Sequence, residues 1–162
     1  MKINEAILRN KNKALWLDST FFSQEVVLNE AASALNNGIK IIHFYFKNAT
    51  DKQNIELGFK LRQLCSMFDA LLIVNSRADI AQIIQADGLC LFNNDMTLDQ
   101  AKKIFHNEII FAIYVETLEN AIEANENKAD YICLDLNKKT LLNDNIKALN
   151  KIKIIEINRK FV

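Results

Sequence analysis

The feature that most constrains this chain is an alternation: short runs rich in Ile, Val and Phe recur along it, each followed by a stretch with helical spacing. The runs occupy residues 14–18, 40–46, 70–75, 88–92, 109–115, 131–136 and 153–157, which makes seven predicted strands. Between them Val27, Ala31, Ala34 and Leu35 take the i, i+4, i+7, i+8 positions of one buried helical face, and Leu57, Leu61, Leu64, Cys65 and Phe68 form another. Weaker repeats at Ile80, Ile83 and Ile84, at Leu98, Ala101 and Phe105, at Leu118, Ala121 and Ile122, and at Leu142, Ile146 and Leu149 bring the predicted helices to six. Such a string folds as parallel strands joined by crossover helices. Thr97 with Gln100 fits a capping box, and Thr117 before Asn120 fits a second N-cap, so both helices start directly after a strand.

Two architectures suit this string, a doubly wound open sheet and a TIM-type barrel. At 162 residues the chain falls short of the roughly 250 typical of such barrels, which favours the sheet and a single domain. The second strand argues the other way. Its alternation puts Ile41, His43, Tyr45 and Lys47 on one face and Ile42, Phe44 and Phe46 on the other, as in a barrel with a semi-polar mouth and helices outside.

Composition removes several classes of function. Lys plus Arg and Asp plus Glu both total 20, so no excess charge points to nucleic acid or an anionic membrane surface. The start of the sequence carries no apolar core of signal-peptide length, and no stretch nears the roughly 18 apolar residues of a membrane span, so a cytoplasmic protein is expected. Cys65, Cys90 and Cys133 lack C-x-x-C spacing and are read as small buried hydrophobes, with neither a disulfide framework nor a zinc site. There is no proline, and the glycines are Gly38, Gly58 and Gly88 alone. Glycine-rich phosphate cradles are therefore excluded from the second half, where only Gly88 adopts left-handed backbone angles freely.

Residues 75–98, NSRADIAQIIQADGLCLFNNDMTL, resemble the thiamine phosphate synthase signature N-D-R-x-D-L-A-x-x-x-x-A-D-G-V-H-L-G-Q-x-D-x-x-L at Asn75, Arg77, Asp79, Ala81, Ala86, Asp87, Gly88, Leu91, Asp95 and Leu98. Residues 114–131, YVETLENAIEANENKADY, are similar to the family's S-V-H-T-x-E-E-A and later A-D-Y. HFYFK in the second strand lies where the family has Q-L-R-x-K. The chain is thus identified as a member of the thiamine phosphate synthase and thiazole tautomerase family, with the resemblance covering residues 14–136, a lead-in before it and a divergent segment 137–162 after it.

That resemblance implies a TIM-type barrel with its site at the C-terminal ends of the strands, here shortened to about seven strands and six or seven helices without the eighth βα unit. It also implies thiamine biosynthesis: joining a pyrimidine pyrophosphate to a thiazole phosphate with Mg²⁺, or isomerising the thiazole. Charge building on the leaving pyrophosphate requires a metal and cationic clamps. Lys47 keeps the family's phosphate-facing lysine, Asn75 its asparagine and Asp95 one of two Mg²⁺ carboxylates, while Ser76 replaces the other. His43 and Tyr45 stand for the family's Gln and Arg, which removes a bidentate phosphate fork. Tyr114 replaces a small serine, and Glu116 takes the place of the tautomerase acid/base histidine. Of the later phosphate-binding segment, DLNKKT supplies at best Lys138 or Lys139.

The expectation is a family member with a degenerate site and weak or absent synthase activity. Its alternatives are a non-catalytic binder of a thiazole or pyrimidine, a protein-interaction scaffold, and an enzyme working through Glu116, His43 or Asp95. Asp18, Lys47, Asn75, Asp95, Glu116 and Asp135 are expected around one mouth. His43 is read as a hydrogen-bonded interior histidine, Asp79 and Asp87 as capping and turn residues, and Lys151, Lys153, Arg159 and Lys160 as a solvated basic tail. Trp16 and the Phe21-Phe22 pair are expected near the pocket, mainly as packing. An unclosed seven-stranded barrel would leave edges on the first and last strands, which invites a homodimer.

Overall fold

Seven parallel strands, β1 (Lys13–Asp18), β2 (Ile41–Tyr45), β3 (Leu71–Asn75), β4 (Gly88–Leu91), β5 (Ile110–Tyr114), β6 (Tyr131–Asp135) and β7 (Lys153–Phe161), close into a barrel in chain order. This computed structural model describes residues 13–18, 23–106, 108–135 and 153–161. The helices among them are α1 (Gln24–Asn36), α2 (Asp51–Met67), α3 (Ala78–Ile83), α4 (Leu98–Ile104) and α5 (Leu118–Glu126). The helix expected at Leu142, Ile146 and Leu149, and the Phe21-Phe22 pair, lie outside the described residues.

The expected open edge is corrected. β7 pairs with β6 from Tyr131↔Lys153 to Asp135↔Ile157 and with β1 from Lys13↔Glu156 to Asp18↔Phe161, so both of its sides are used. Of the basic residues read as a tail, Lys153, Arg159 and Lys160 belong to β7, with Arg159 opposite Trp16 and Lys160 opposite Leu17, and Lys151 lies outside the described residues. Closure removes the unpaired backbone on which the homodimer argument stood.

Period-two alternation builds two apolar layers. Inside the barrel lie Ala14, Trp16, Ile41, Leu71, Ile73, Cys90, Ala112, Tyr114, Tyr131, Cys133, Ile155 and Ile157. The opposite strand faces, including Ile42, Phe44, Leu72, Val74 and Leu89, pack against Val27, Ala31 and Leu35 of α1 and Leu57, Leu61 and Cys65 of α2. The expected helical faces hold there, whereas Ile83 and Ile122 are turned out, 50% and 37% exposed.

Side-chain caps mark the starts of α1, α2, α4 and α5. Thr97 and Gln100 form the expected capping box, Thr117 accepts from the Asn120 amide, and Thr50 with Gln53 forms a box that the sequence reading passed over. Helix ends use left-handed residues before the next strand: Gly38, Asp69, Gln85 and Lys128, at φ of 89°, 48°, 53° and 59°. At each, the next residue's amide donates back to the helix, as in Ala70 to Cys65 (2.9 Å) and Ala129 to Ala124 (3.0 Å). Gly88 is not among them. It is needed for space: an added Cβ would lie 2.5 Å from the Ile110 carbonyl oxygen and 2.8 Å from Ile73 Cδ1.

The two Ala-Asp motifs have one physical role. Asp87 accepts from the Leu72 amide at 2.7 Å, and Asp130 accepts from the Phe111 amide at 2.8 Å, each tying the start of one strand to its neighbour. Asp87 also pairs with Arg62. Asp79 does not cap α3, whose N-cap is Arg77 without a side-chain bond; it pairs with that arginine instead.

Candidate functional site at the C-terminal mouth

Strand ends in a parallel barrel leave side chains converging on one mouth, and here aromatic rings fill it. Trp16, from β1, is fully buried and stacks on the His43 ring at 4.7 Å between centroids and 13° between planes. Tyr114, the last residue of β5, is 4% exposed and lies 4.9 Å from Phe92 and 5.8 Å from Trp16. Phe92 meets Trp16 edge-on at 5.8 Å and closes the cluster.

Below this plug His43 is buried and satisfied on both ring nitrogens. Nδ1 lies 3.0 Å from Asn75 Oδ1 and Nε2 lies 2.8 Å from the Tyr131 hydroxyl. An amide oxygen only accepts, so Nδ1 carries the proton, Nε2 presents its lone pair, and Tyr131 donates to it. The reading of His43 as a hydrogen-bonded interior histidine holds, and Asn75 is its partner at the end of β3. Cys90 of β4 and Cys133 of β6 reach the same spot: one ligand atom from each, and one from His43, lie within 4.8 Å of one another.

Burial raises the Cys90 thiol, but its contacts with Cys133, and after that with His43, lower the group on balance. Cys133 is pushed far up by burial and by its bond to Cys90. Tyr131 is also driven well above the usual phenol range, by burial first and by the neighbouring thiols next. Sequence spacing could not reveal this trio, because its members stand on β2, β4 and β6; their inward positions in the period-two pattern were the available signal.

The other expected site residues are dispersed around the rim. Lys47 is exposed in the turn after β2, and Glu116 is exposed between β5 and α5. Tyr45 is partly buried and accepts from Arg77 at 3.4 Å, with the guanidinium 5.7 Å from its ring centroid. Arg77 also holds Asp79 through two bonds of 2.8 and 2.6 Å and Asp51 through one of 2.7 Å. These bonds hold both carboxyls below their usual range and the guanidinium above its own. The side chains of Asp18 and Asp135 and the whole of Lys138 and Lys139 lie outside the described residues. Asn54, which the sequence reading missed, is fully buried and braces the Lys47 turn, accepting from the Phe46 amide and donating to the Phe46 carbonyl, both at 3.0 Å.

Asp95 and Ser76 are where a divalent cation would have to be held. Asp95 is half-buried in the loop after β4, and its Oδ2 accepts from the Phe92 amide at 2.8 Å. Ser76 sits in the left-handed region at φ 63° and offers a hydroxyl. One carboxylate with one oxygen already engaged is a poor donor set for magnesium bridged to a pyrophosphate. Asp95 also borders a cleft of about 170 Å³, with Thr97, Asn120, Glu123 and Asn127, between the outer face of the sheet and the α4 and α5 helices. It lies beside the barrel mouth and is smaller than the roughly 300–1,000 Å³ of ordinary ligand pockets.

A family model, thiamine monophosphate synthase, matches residues 17–156. The chain belongs to the thiamine monophosphate synthase family. Among its relatives, the thiamine-phosphate synthase of Pyrococcus furiosus is 39% identical over 125 residues, covering 77% of this chain and 59% of that protein. That of Methanococcus maripaludis strain C6 is 34% identical over 157 residues, covering 92% of this chain and 74% of that protein. The chain spans 59%, 31% and 48% of the Pyrococcus, Synechococcus and Haloarcula relatives, about half their length. The solved thiamine phosphate pyrophosphorylase of Pyrococcus furiosus superposes with a TM-score of 0.76 at 32% identity, over 93% of this chain and 77% of that one. The family's barrel is therefore what the sequence resemblance implied, and it outweighs chain length. No helix among the described residues is long and apolar enough to cross a membrane.

Proposed function

We propose that this family member works in thiamine biosynthesis with little or no pyrophosphate-displacing activity, keeping a role in binding or protein interaction. The observation that carries the reading is the aromatic plug: Tyr114, 4% exposed, packs on Phe92 and Trp16 where the family places a small serine. A ligand entering the mouth would have to displace a buried ring. The lone carboxylate of Asp95 and the hydroxyl of Ser76 support the same reading, since losing one preorganised charge stabiliser typically lowers a rate about 100- to 1,000-fold. Magnesium is accordingly given no step. A thiazole or pyrimidine without phosphates is the small molecule this reading favours, because Tyr45 stands in β2 where the family has its arginine and Arg77 beside it is taken up by Asp79 and Asp51.

The decisive experiment is a coupled assay for thiamine phosphate from pyrimidine pyrophosphate, thiazole phosphate and Mg²⁺, with Asp95→Ala alongside. Absent turnover in both supports the proposal. Turnover that Asp95→Ala abolishes would establish an active enzyme using one carboxylate, and turnover lost only in Glu116→Gln would assign the chemistry to Glu116.

A further inference from the structure

Cys90, Cys133 and His43 are the one group of three soft or borderline ligands that the described residues bring together, and the mouth chemistry makes no use of the thiols. They belong to one interior layer, because alternate strands of a barrel contribute side chains to the same level and these residues stand on β2, β4 and β6. All three are fully buried. We infer that this layer is a structural site for a divalent soft-accepting cation, Zn²⁺, ligated by Cys90 Sγ, Cys133 Sγ and His43 Nε2 with the Tyr131 hydroxyl as the fourth donor.

Three observations fit this assignment. The ligand atoms of His43, Cys90 and Cys133 lie within 4.8 Å of one another, and ligands at zinc distances of about 2.3 Å for sulfur and 2.0–2.1 Å for nitrogen stand roughly 3.5–4 Å apart, so these three have to contract by about 1 Å or less, while the Tyr131 hydroxyl, 2.8 Å from Nε2, has to release that nitrogen and move outward to make room for the ion. Asn75 Oδ1 fixes the Nδ1–H tautomer of His43 at 3.0 Å, which orients Nε2 as the metal donor in the manner of a supporting partner around a zinc histidine. Charge allows a divalent ion: Zn²⁺ with two thiolates, a neutral imidazole and a neutral phenol sums to zero, as a dry core requires, and the two sulfur donors with one nitrogen suit zinc. A disulfide fits less well. β5 separates β4 from β6, and two strand spacings of about 4.8 Å exceed the usual 4.4–6.8 Å between bridged Cα atoms.

The closed barrel requires loading during folding, so the test refolds the full chain from denaturant under reducing conditions with stoichiometric Zn²⁺ or Co²⁺. The expected result is one metal retained per chain after desalting, a sulfur-to-cobalt charge-transfer band, and no displacement by excess Mg²⁺. Cys65→Ala keeps all of these. Cys90→Ala with Cys133→Ala loses the band. Because that double variant alters the core, the wild-type protein is also alkylated in the native state with and without Zn²⁺ and mapped by mass spectrometry. Protection by metal at Cys90 and Cys133, over and above that of the metal-free fold, supports the site. A folded wild-type chain that retains no metal, or a band that survives in the double variant, would overturn it.

Discussion

Replacing Tyr114 by serine returns the family's residue type to the mouth and removes a ring that is 4% exposed and packed 4.9 Å from Phe92 and 5.8 Å from Trp16. Truncating a buried aromatic typically costs about 3–5 kcal/mol, which already includes much of the loss of aromatic pairing worth about 0.5–1.5 kcal/mol per contact. For a chain of this size each kcal/mol lowers the melting temperature by about 2–4 °C, so a fall of roughly 6–20 °C is expected. Urea unfolding of both proteins supplies the free-energy difference directly, and the midpoint shift should occur without change in slope. The functional arm is calorimetric: the unphosphorylated thiazole alcohol binds Tyr114→Ser more tightly than the parent, because the cavity opens at the strand ends. A stability loss under about 1 kcal/mol would refute the packing argument. A parent protein that binds the thiazole alcohol as well as Tyr114→Ser does would show that the ring is no barrier and would sink the plug as the cause of inactivity.

Other expectations come from backbone and burial. Gly88→Ala should destabilise by about 1–3 kcal/mol or more, because the new methyl meets a strand carbonyl at 2.5 Å. Gly58→Ala should cost less, since its neighbours are the side-chain ends of Ile84 and Phe44 and alanine favours the helix; paired urea curves test the order. Lys128→Gly, at φ 59°, should stabilise by about 0.5–1 kcal/mol by relieving left-handed strain, with a higher melting temperature as the readout and an unchanged or lower one as refutation. Burial pushes the Cys65 thiol up to about 12 from its ordinary value of 9.0. The folded state therefore holds a proton that the unfolded chain gives up near pH 9, and this stability is full below pH 9 and lost as pH rises toward 12. Between those limits the wild type should lose about 1.4 kcal/mol per pH unit more than Cys65→Ala, and parallel pH profiles would contradict the burial argument.

The sequence by itself determined the order of elements, the caps at Thr97 and Thr117, the two faces of β2 and the family, because each depends on spacing within one segment. The Ile41/His43 face turned inward and the Ile42/Phe44 face outward for a local reason, the two-residue period of a strand. Closure was decided only in three dimensions. Whether Lys13–Asp18 meets Lys153–Phe161 depends on tilt and twist accumulated over every intervening strand, and no local signal carries that sum. The left-handed residues Asp69, Gln85 and Lys128 were equally illegible, since tertiary packing forces on them angles that their side chains disfavour. The clearest case is the interior trio. Cys90, Cys133 and His43 look unrelated along the chain, and they meet because alternate strands of a closed barrel send side chains to one level on its axis.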